Sequence, residues 1–278
     1  MSDHSHASHH PMPFWKKYIF STDHKVIGLQ YAITAMVFLL FGFSLVLLMR
    51  WQLGFPNQPI PILGKLLSDA LVIDGVMTPD FYNQLGAMHG TIMIFLGVVP
   101  LAVGGFGNYL LPIQVGAHDM AFPKLNMMSY WVYFVGGVIM LSSFLMPGGA
   151  AASGWTSYPP LSVIAQNAQS TWLVGMVFLI TSSLLGSVNT IVTALQLSVK
   201  GMSFMRWPIL VWAQVTTGFL LLLAFPPLEA AGVLQLMDRV FGSSFFLPSG
   251  LVVGGSNELL WKGFPQGSSR TGRHTWYL

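Results

Sequence analysis

The sequence predicts an all-α fold, a polytopic bundle of transmembrane helices, and three observations predict it. Only 8% of the 278 residues are charged, whereas 53% are hydrophobic. A soluble domain carries about a quarter charged residues because its surface must be wetted, and this chain has too few to wet a globule of its size. The apolar residues also fall into five long runs, each past the roughly 20 residues that cross about 30 Å of hydrocarbon. Inside lipid a backbone must satisfy its own hydrogen bonds, so such runs are helices.

The first run extends from about Ile27 to Met49 and carries no charge. The second, about Leu85 to Val115, is interrupted by Pro100 and the cluster Gly104, Gly105 and Gly107. The third covers about Leu125 to Met146, the fourth about Trp172 to Val199, and the fifth about Trp207 to Met237. The second and fifth are long enough to require tilt or interfacial extensions. Lys16, Lys17, Lys25, Lys124, Lys200 and Arg206 flank one side, which the positive-inside rule makes cytoplasmic, together with the N-terminus. Arg50, Lys65 and Arg239 on the other side stand against Asp69, Asp74, Asp80 and Asp238. The first run is too long for a signal-peptide core and lacks a small-residue cleavage site.

Residues 1–20 form a polar arm with His4, His6, His9 and His10, expected to be disordered and solvated. From about residue 249 the chain turns Gly- and Ser-rich, then basic, with Lys262, Arg270 and Arg273 and no sixth run. Cysteine is absent, which excludes disulfides, thiolate metal sites and iron–sulfur clusters on this chain. The net charge of +3 comes without a basic stripe, so nucleic acid is excluded as a partner and the lipid bilayer is the expected one.

A few residues inside or beside the runs can carry chemistry. His89 is the only histidine within a run, seven residues after Tyr82 and therefore about 10 Å below the end. It is either a hydrogen-bonded interhelical histidine or an axial ligand to haem iron, for which imidazole is the usual protein ligand. Arg50 ends the first run and, between antiparallel neighbours, comes to a depth similar to His89; it either snorkels or donates to a bound cofactor. Asp119 sits in the tight loop Gly116-Ala117-His118-Asp119. Asn108, Asn126, Asn189, Ser182 and Ser183 stand at increasing depth beyond it. Together they could line a water-filled proton path, or the amides and hydroxyls could be interhelical glue. Glu229 is expected near the outer end of the fifth run, at the interface, and Trp155 in an uncharged loop as an interfacial anchor. No phosphate-binding loop, Ser/His/Asp set or HExxH motif is present.

Several motifs, in order, resemble one family. Ser21-Thr22-Asp23-His24-Lys25 precedes the first run, and Met88-His89-Gly90-Thr91-Ile92-Met93-Ile94-Phe95 lies in the second. Gly104-Gly105-Phe106-Gly107-Asn108-Tyr109-Leu110-Leu111-Pro112 is followed by Gly116-Ala117-His118-Asp119-Met120-Ala121-Phe122-Pro123-Lys124-Leu125-Asn126. Gly154-Trp155-Thr156-Ser157-Tyr158-Pro159-Pro160-Leu161, Pro208-Ile209-Leu210-Val211-Trp212 and Asp238-Arg239 to Ser244-Phe245-Phe246 continue the series. Over about residues 15 to 250 the chain resembles the N-terminal portion of subunit I of the haem-copper terminal oxidases.

That resemblance implies roles. His89 matches an axial ligand of the family's low-spin haem, of a or b type. Arg50 matches the arginine at that haem's formyl group, Tyr82 a tyrosine close to it, and Trp155 the tryptophan near its polar edge. Asp119 matches the mouth of the D proton pathway, and Asn108, Asn126, Asn189, Ser182 and Ser183 its polar lining. The implied function is proton-pumping aerobic respiration in a bacterial inner membrane, with oxidase subunits II and III as partners and cytochrome c or quinol as electron donor. About five spans stand here for a normally twelve-span subunit. The copper and high-spin haem of the complete family member have no ligands in this chain, because the family's Gly-His-Pro-Glu-Val-Tyr motif does not follow Leu259-Leu260-Trp261. A truncated or frame-shifted reading of a longer gene, inactive in oxygen reduction alone, is the expectation. A channel or transporter built on the Asp119 path, and a membrane fragment that only binds other subunits, are the competing function classes.

Overall fold

The computed structural model describes residues 13–68 and 70–246. The His-rich stretch His4 to His10 and the divergent tail from residue 249 lie outside the described residues. Five helices are long and apolar enough to cross a membrane: α1 His24–Gly54, α2 Pro79–Val115, α3 Pro123–Leu145, α4 Ala168–Gln196 and α5 Ile209–Phe241. The chain is an integral membrane protein built as a helical bundle. The end at which α1 starts is called here the Asp23 end, and the opposite one the Arg50 end.

The helices overrun the apolar runs because caps, not hydropathy, set their ends. Asp23 Oδ1 accepts the Lys25 N–H at 2.7 Å and starts α1. Thr78 Oγ1 accepts from the Phe81 N–H at 3.2 Å, with Pro79 in the first turn, so α2 begins six residues before its apolar run. At the other end of α2, Gly116 takes a φ of 75° that only a residue without Cβ adopts freely.

Pro100 and the glycine cluster do not break α2. The helix instead widens into π-helical segments, Ile92–Val98 and Pro100–Gly107. Such widening changes the hydrogen-bond pattern along the helix. Side chains from neighbouring helices and from α2 itself meet carbonyls of this region. Tyr133 Oη donates to Leu96 O at 2.7 Å, Gln214 Nε2 to Ala102 O at 2.9 Å, and Asn108 Nδ2 to Gly104 O at 2.8 Å.

α5 outruns its apolar run. It runs unbroken through Pro226 and Pro227 to Phe241. Glu229 therefore lies four residues past Phe225, the midpoint of the helix, or about 6 Å from it along the axis. The apolar run stops at Met237, but the helix carries Asp238 and Arg239 inside it.

α1 lies antiparallel against α2, and α4 packs along α3 on one side and α5 on the other. Close approach depends on small residues. A Cβ on Gly104 would come within 2.6 Å of the Tyr31 ring, and one on Gly136 within 2.8 Å of Phe178. Between these contacts sits an aromatic core in which Tyr31 stacks on Tyr133 at 5.2 Å and Phe38 meets Tyr133 edge-on at 5.9 Å.

The loops at the Arg50 end are tied down individually. A two-stranded hairpin, β1 Val72–Ile73 and β2 Val76–Met77, turns on Asp74 and Gly75, both at positive φ as this tight turn requires. One turn of α5 holds the remaining loops. Gln235 exchanges two hydrogen bonds of 2.7 Å with Ser157. The buried Asp238 carboxylate accepts from Ser243 Oγ and from the N–H groups of Phe245 and Phe246. The Arg239 guanidinium donates to Ser170 Oγ and to the carbonyls of Ser162, Val163, Ala165 and Gln166. It closes the end of the short helix Leu161–Ile164.

Two substitutions test this architecture. Gly136→Val forces α3 off α4 and lowers stability by roughly 1–3 kcal/mol, read as a drop in the unfolding midpoint in detergent. Arg239→Met strips several charged hydrogen bonds from one loop, a loss of roughly 3 kcal/mol. Amide exchange across 162–170 then accelerates while exchange in α3 stays unchanged.

Candidate functional site

His89 is half-buried in α2, and its Nδ1 lies 2.8 Å from the carbonyl oxygen of Gly42 on α1. A carbonyl only accepts, so Nδ1 carries the hydrogen and Nε2 presents a lone pair. No hydrogen bond engages Nε2 among the described residues. This is the arrangement of a metal-ligating imidazole, whose second nitrogen is anchored on a backbone carbonyl to fix tautomer and ring orientation. A Cβ on Gly90, the next residue, would meet nothing within 4 Å. The space beside His89 at that position is open. The described residues contain no group of three His, Cys, Asp or Glu side chains able to hold a metal ion. A haem iron needs only one side chain on each face.

The register of α1 on α2 places the other expected residues. Gly42 faces Met93 and Gly86 faces Met49. Arg50 thus stands level with Leu85, four residues or about 6 Å toward the Arg50 end from His89, and its side chain is exposed. Tyr82 is half-buried two turns from His89 and packs on the main core. Trp155, 48% exposed, meets Phe95 of α2 with ring centroids 6.1 Å apart. Arg50, Tyr82 and His89 therefore share the Arg50-end half of the α1–α2 pair, and Trp155 reaches α2 six residues further along than His89. No hydrogen bond joins the four among the described residues.

The residues expected along a polar path split into two kinds. Asn108, Ser182 and Ser183 line a cavity of about 40 Å³, enough for about three water molecules. Tyr31, Ser129 and Thr190 line it as well. Ser182 donates to Ser129 O at 2.7 Å, and Ser129 Oγ donates to Asn126 O at 2.7 Å, so the cavity is linked to the Asn126 backbone. The Asn126 side chain is 1% exposed, and neither its oxygen nor its nitrogen has a hydrogen-bond partner. A buried amide of that kind calls for water.

Asn189 does something different. Its Oδ1 accepts the Phe122 N–H at 2.9 Å, and Thr193 Oγ1 accepts the Ala121 N–H at 2.9 Å. These two side chains of α4 pin the loop that carries Asp119. Asp119 Oδ1 accepts the next residue's N–H at 2.6 Å, and its side chain is half-buried. Asn189 is not among the cavity-lining residues.

Sequence reasoning missed Tyr31, Ser129, Thr190, Thr193 and His24. The last is buried at the start of α1, with Nδ1 2.8 Å from Asn108 O. A hydroxyl one turn after Asn126, and one beside Asn189, were available signals for Ser129 and Thr190.

The family described as Cytochrome C and Quinol oxidase polypeptide I matches residues 26–264. The chain belongs to that family. It is 44% identical to cytochrome c oxidase subunit 1 of Thermostichus vulcanus over 84% of this chain and 40% of the relative. It is 40% identical to the alternative cytochrome c oxidase subunit 1 of Bradyrhizobium diazoefficiens over 87% and 39% respectively. With cytochrome c oxidase subunit 1 of Synechocystis the figures are 38% identity over 92% of this chain and 43% of the relative. The chain thus spans about 40% of the length of curated relatives it matches. The family match continues to residue 264, past the point near residue 250 where the motif resemblance fades.

Asn189→Leu tests the loop anchor. It leaves the Phe122 N–H without its acceptor, a cost of about 1–3 kcal/mol. Amide exchange at Ala121 and Phe122 is expected to accelerate. Unchanged exchange there would show that the loop holds itself.

Proposed function

We propose that this chain forms the low-spin-haem and proton-entry part of a respiratory terminal oxidase. The observation that carries the proposal is the His89 imidazole, with Nδ1 held by Gly42 and Nε2 free beside the open space at Gly90. A low-spin haem of a or b type, bound there, supplies one-electron transfer. His89 fixes its own ring plane before any ligand arrives, because the Gly42 bond removes the rotation. Arg50, one turn toward the helix end, offers a guanidinium to polar substituents at the ring periphery. Tyr82 and Trp155 supply aromatic walls and exclude water from that side. The further residues that would hold the haems and the copper are assigned to the portion of the family's subunit that this chain does not span. Oxygen reduction is assigned to the assembled oxidase.

Asp119 is proposed as the proton entrance. Its loop is held in place by Asn189 and Thr193, and the unpaired Asn126 amide offers a site for water, linked through Ser129 to the cavity at Asn108, Ser182 and Ser183. Cytochrome c as donor follows the names of the relatives, with quinol as the variant the family description also carries. Subunits II and III are the proposed partners. The membrane is a bacterial inner membrane with the Asp23 end in the cytoplasm, supported by the lysines and arginine gathered at that end.

In an oxidase containing this chain, His89→Ala abolishes the low-spin haem absorbance and leaves the spans inserted, since alanine makes α2 more apolar. Arg50→Met keeps the haem and shifts its spectrum. A low-spin spectrum unaltered by His89→Ala would remove the haem proposal.

Orientation is checked by thiol labelling, because the chain has no native cysteine. Lys17→Cys and Lys200→Cys label from the cytoplasmic side and Lys65→Cys from the other. The reverse pattern would invert the topology.

A further inference from the structure

Residues 14–20 precede α1 and are fixed on the bundle at the Asp23 end. One helical turn, Trp15–Ile19, buries none of its residues. Gln30, in the second turn of α1, donates through Nε2 to Tyr18 O at 2.6 Å and to Ile19 O at 2.9 Å. Phe20 stacks on Trp131 of α3 with ring centroids 5.2 Å apart. The segment therefore lies back along the start of α1 and is held by two helices.

A segment held in this way gains by turning its aromatic rings inward. This one does the reverse: Trp15 is 66% exposed, Phe14 63%, Phe20 52% and Tyr18 44%. Phe14 gathers two of the others, its ring centroid 6.2 Å from that of Trp15 and 5.2 Å from that of Tyr18. Lys16 and Lys17 are exposed among them, with Lys17 Nζ 5.1 Å from the Tyr18 ring centroid, and Lys25 is exposed in the first turn of α1. Asp23 is the only acid between residues 13 and 30, and its carboxylate caps α1. No acid pairs with these lysines among the described residues. A layer that takes up aromatic rings and supplies anions side by side is the headgroup region of a membrane with acidic lipids. Continuity points the same way. From beside Gln30, α1 presents Leu29, Ile33, Met36, Val37 and Leu40 as an exposed stripe at helical spacing, on a helix long enough to cross a membrane. A soluble acidic protein would satisfy the lysines and leave that stripe uncovered.

We propose that residues 14–20 form a binding site for anionic phospholipid headgroups. Phe14, Trp15 and Tyr18 enter the headgroup layer, and Lys16 and Lys17 meet the lipid phosphates. Gln30 and Trp131 keep the segment pressed to the bundle, so that lipid bound there is held against α1 and α3. The site is separate from His89 and from Asp119. It rests only on the chain being an integral membrane protein and stands whether or not the haem and proton assignments do.

The test uses the absence of native cysteine. Phe14→Cys, labelled with a polarity-sensitive fluorophore, is held in neutral detergent and titrated with phosphatidylglycerol, with phosphatidylcholine, with inorganic phosphate and with polyglutamate. Phosphatidylglycerol is expected to shift the emission to the blue in a saturable way, and the other three are not. Adding Lys16→Gln and Lys17→Gln raises the half-saturating phosphatidylglycerol concentration roughly tenfold or more, since each lysine near an anionic surface contributes separately. Lys16→Arg with Lys17→Arg keeps the original curve, and so does Lys65→Gln at the Arg50 end. Four results overturn the proposal. An equal response to phosphatidylcholine shows no preference for an anionic headgroup. Saturation by inorganic phosphate marks a site for free anions. A stronger response to polyglutamate marks a surface for an acidic protein. An unchanged curve for the double glutamine variant, with native circular dichroism, removes the lysines from the site.

Discussion

A peptide group inside hydrocarbon has no water to bond, so each N–H and C=O must find a partner within the protein. Several departures from the regular helical ladder among the described residues are answered by side chains. Where α2 widens into its π-helical segments, Tyr133, Gln214 and Asn108 reach carbonyls at Leu96, Ala102 and Gly104. Where the chain leaves a helix, Asn189 and Thr193 receive the N–H groups of one loop, and Asp238 and Arg239 serve two others. Leaving one such group unpaired costs several kcal/mol in an apolar medium. Many of the polar residues of a chain with 8% charge are committed to this task.

The uncommitted ones therefore stand out. The Asn126 and Gln169 amides are enclosed and unpaired, while the Asn108 and Asn189 amides are already engaged with backbone. The His89 ring has one nitrogen anchored and the other free. All three have polar capacity that packing alone does not consume. α2 passes both the His89 and the Asn108 regions: its π-helical segments start three residues after His89 and end at Gly107, next to Asn108.

The five membrane runs were legible in the sequence because hydropathy depends on composition over about 20 residues and not on neighbours. The helix ends were less so. Thr78-Pro79-Asp80 is a cap signal lying outside the apolar run, and Asp238-Arg239 looks like a loop until its hydrogen bonds are known. The helix around Glu229 is likewise longer than its apolar run, since α5 continues twelve residues beyond it. Asp74-Gly75 is a hairpin turn signal, but it sits in too short a segment to stand out. His89 and Asp119 were picked out by type and position, while the partners that distinguish them, Gly42 for one and Asn189 with Thr193 for the other, come from different helices. Sequence distance hides such pairs: His89 and Gly42 are 47 residues apart, and Asn189 and Phe122 are 67.

The Arg239 clamp has a consequence for biogenesis. The carbonyls it holds belong to residues 73 to 77 positions earlier in the chain. A ribosome delivers the loop around Trp155 and the short helix Leu161–Ile164 well before it delivers Arg239, and domains made first fold first. α1 to α4 can enter the membrane and pair through their small-residue contacts, with Gln84 of α2 already holding Gly148 and Ala150, while residues 162 to 166 still lack the donor that ties them down. That stretch is fixed only when the far end of α5 has been made and delivered to the Arg50 end. Delivery of one arginine thus acts as the latch that completes this part of the Arg50 end.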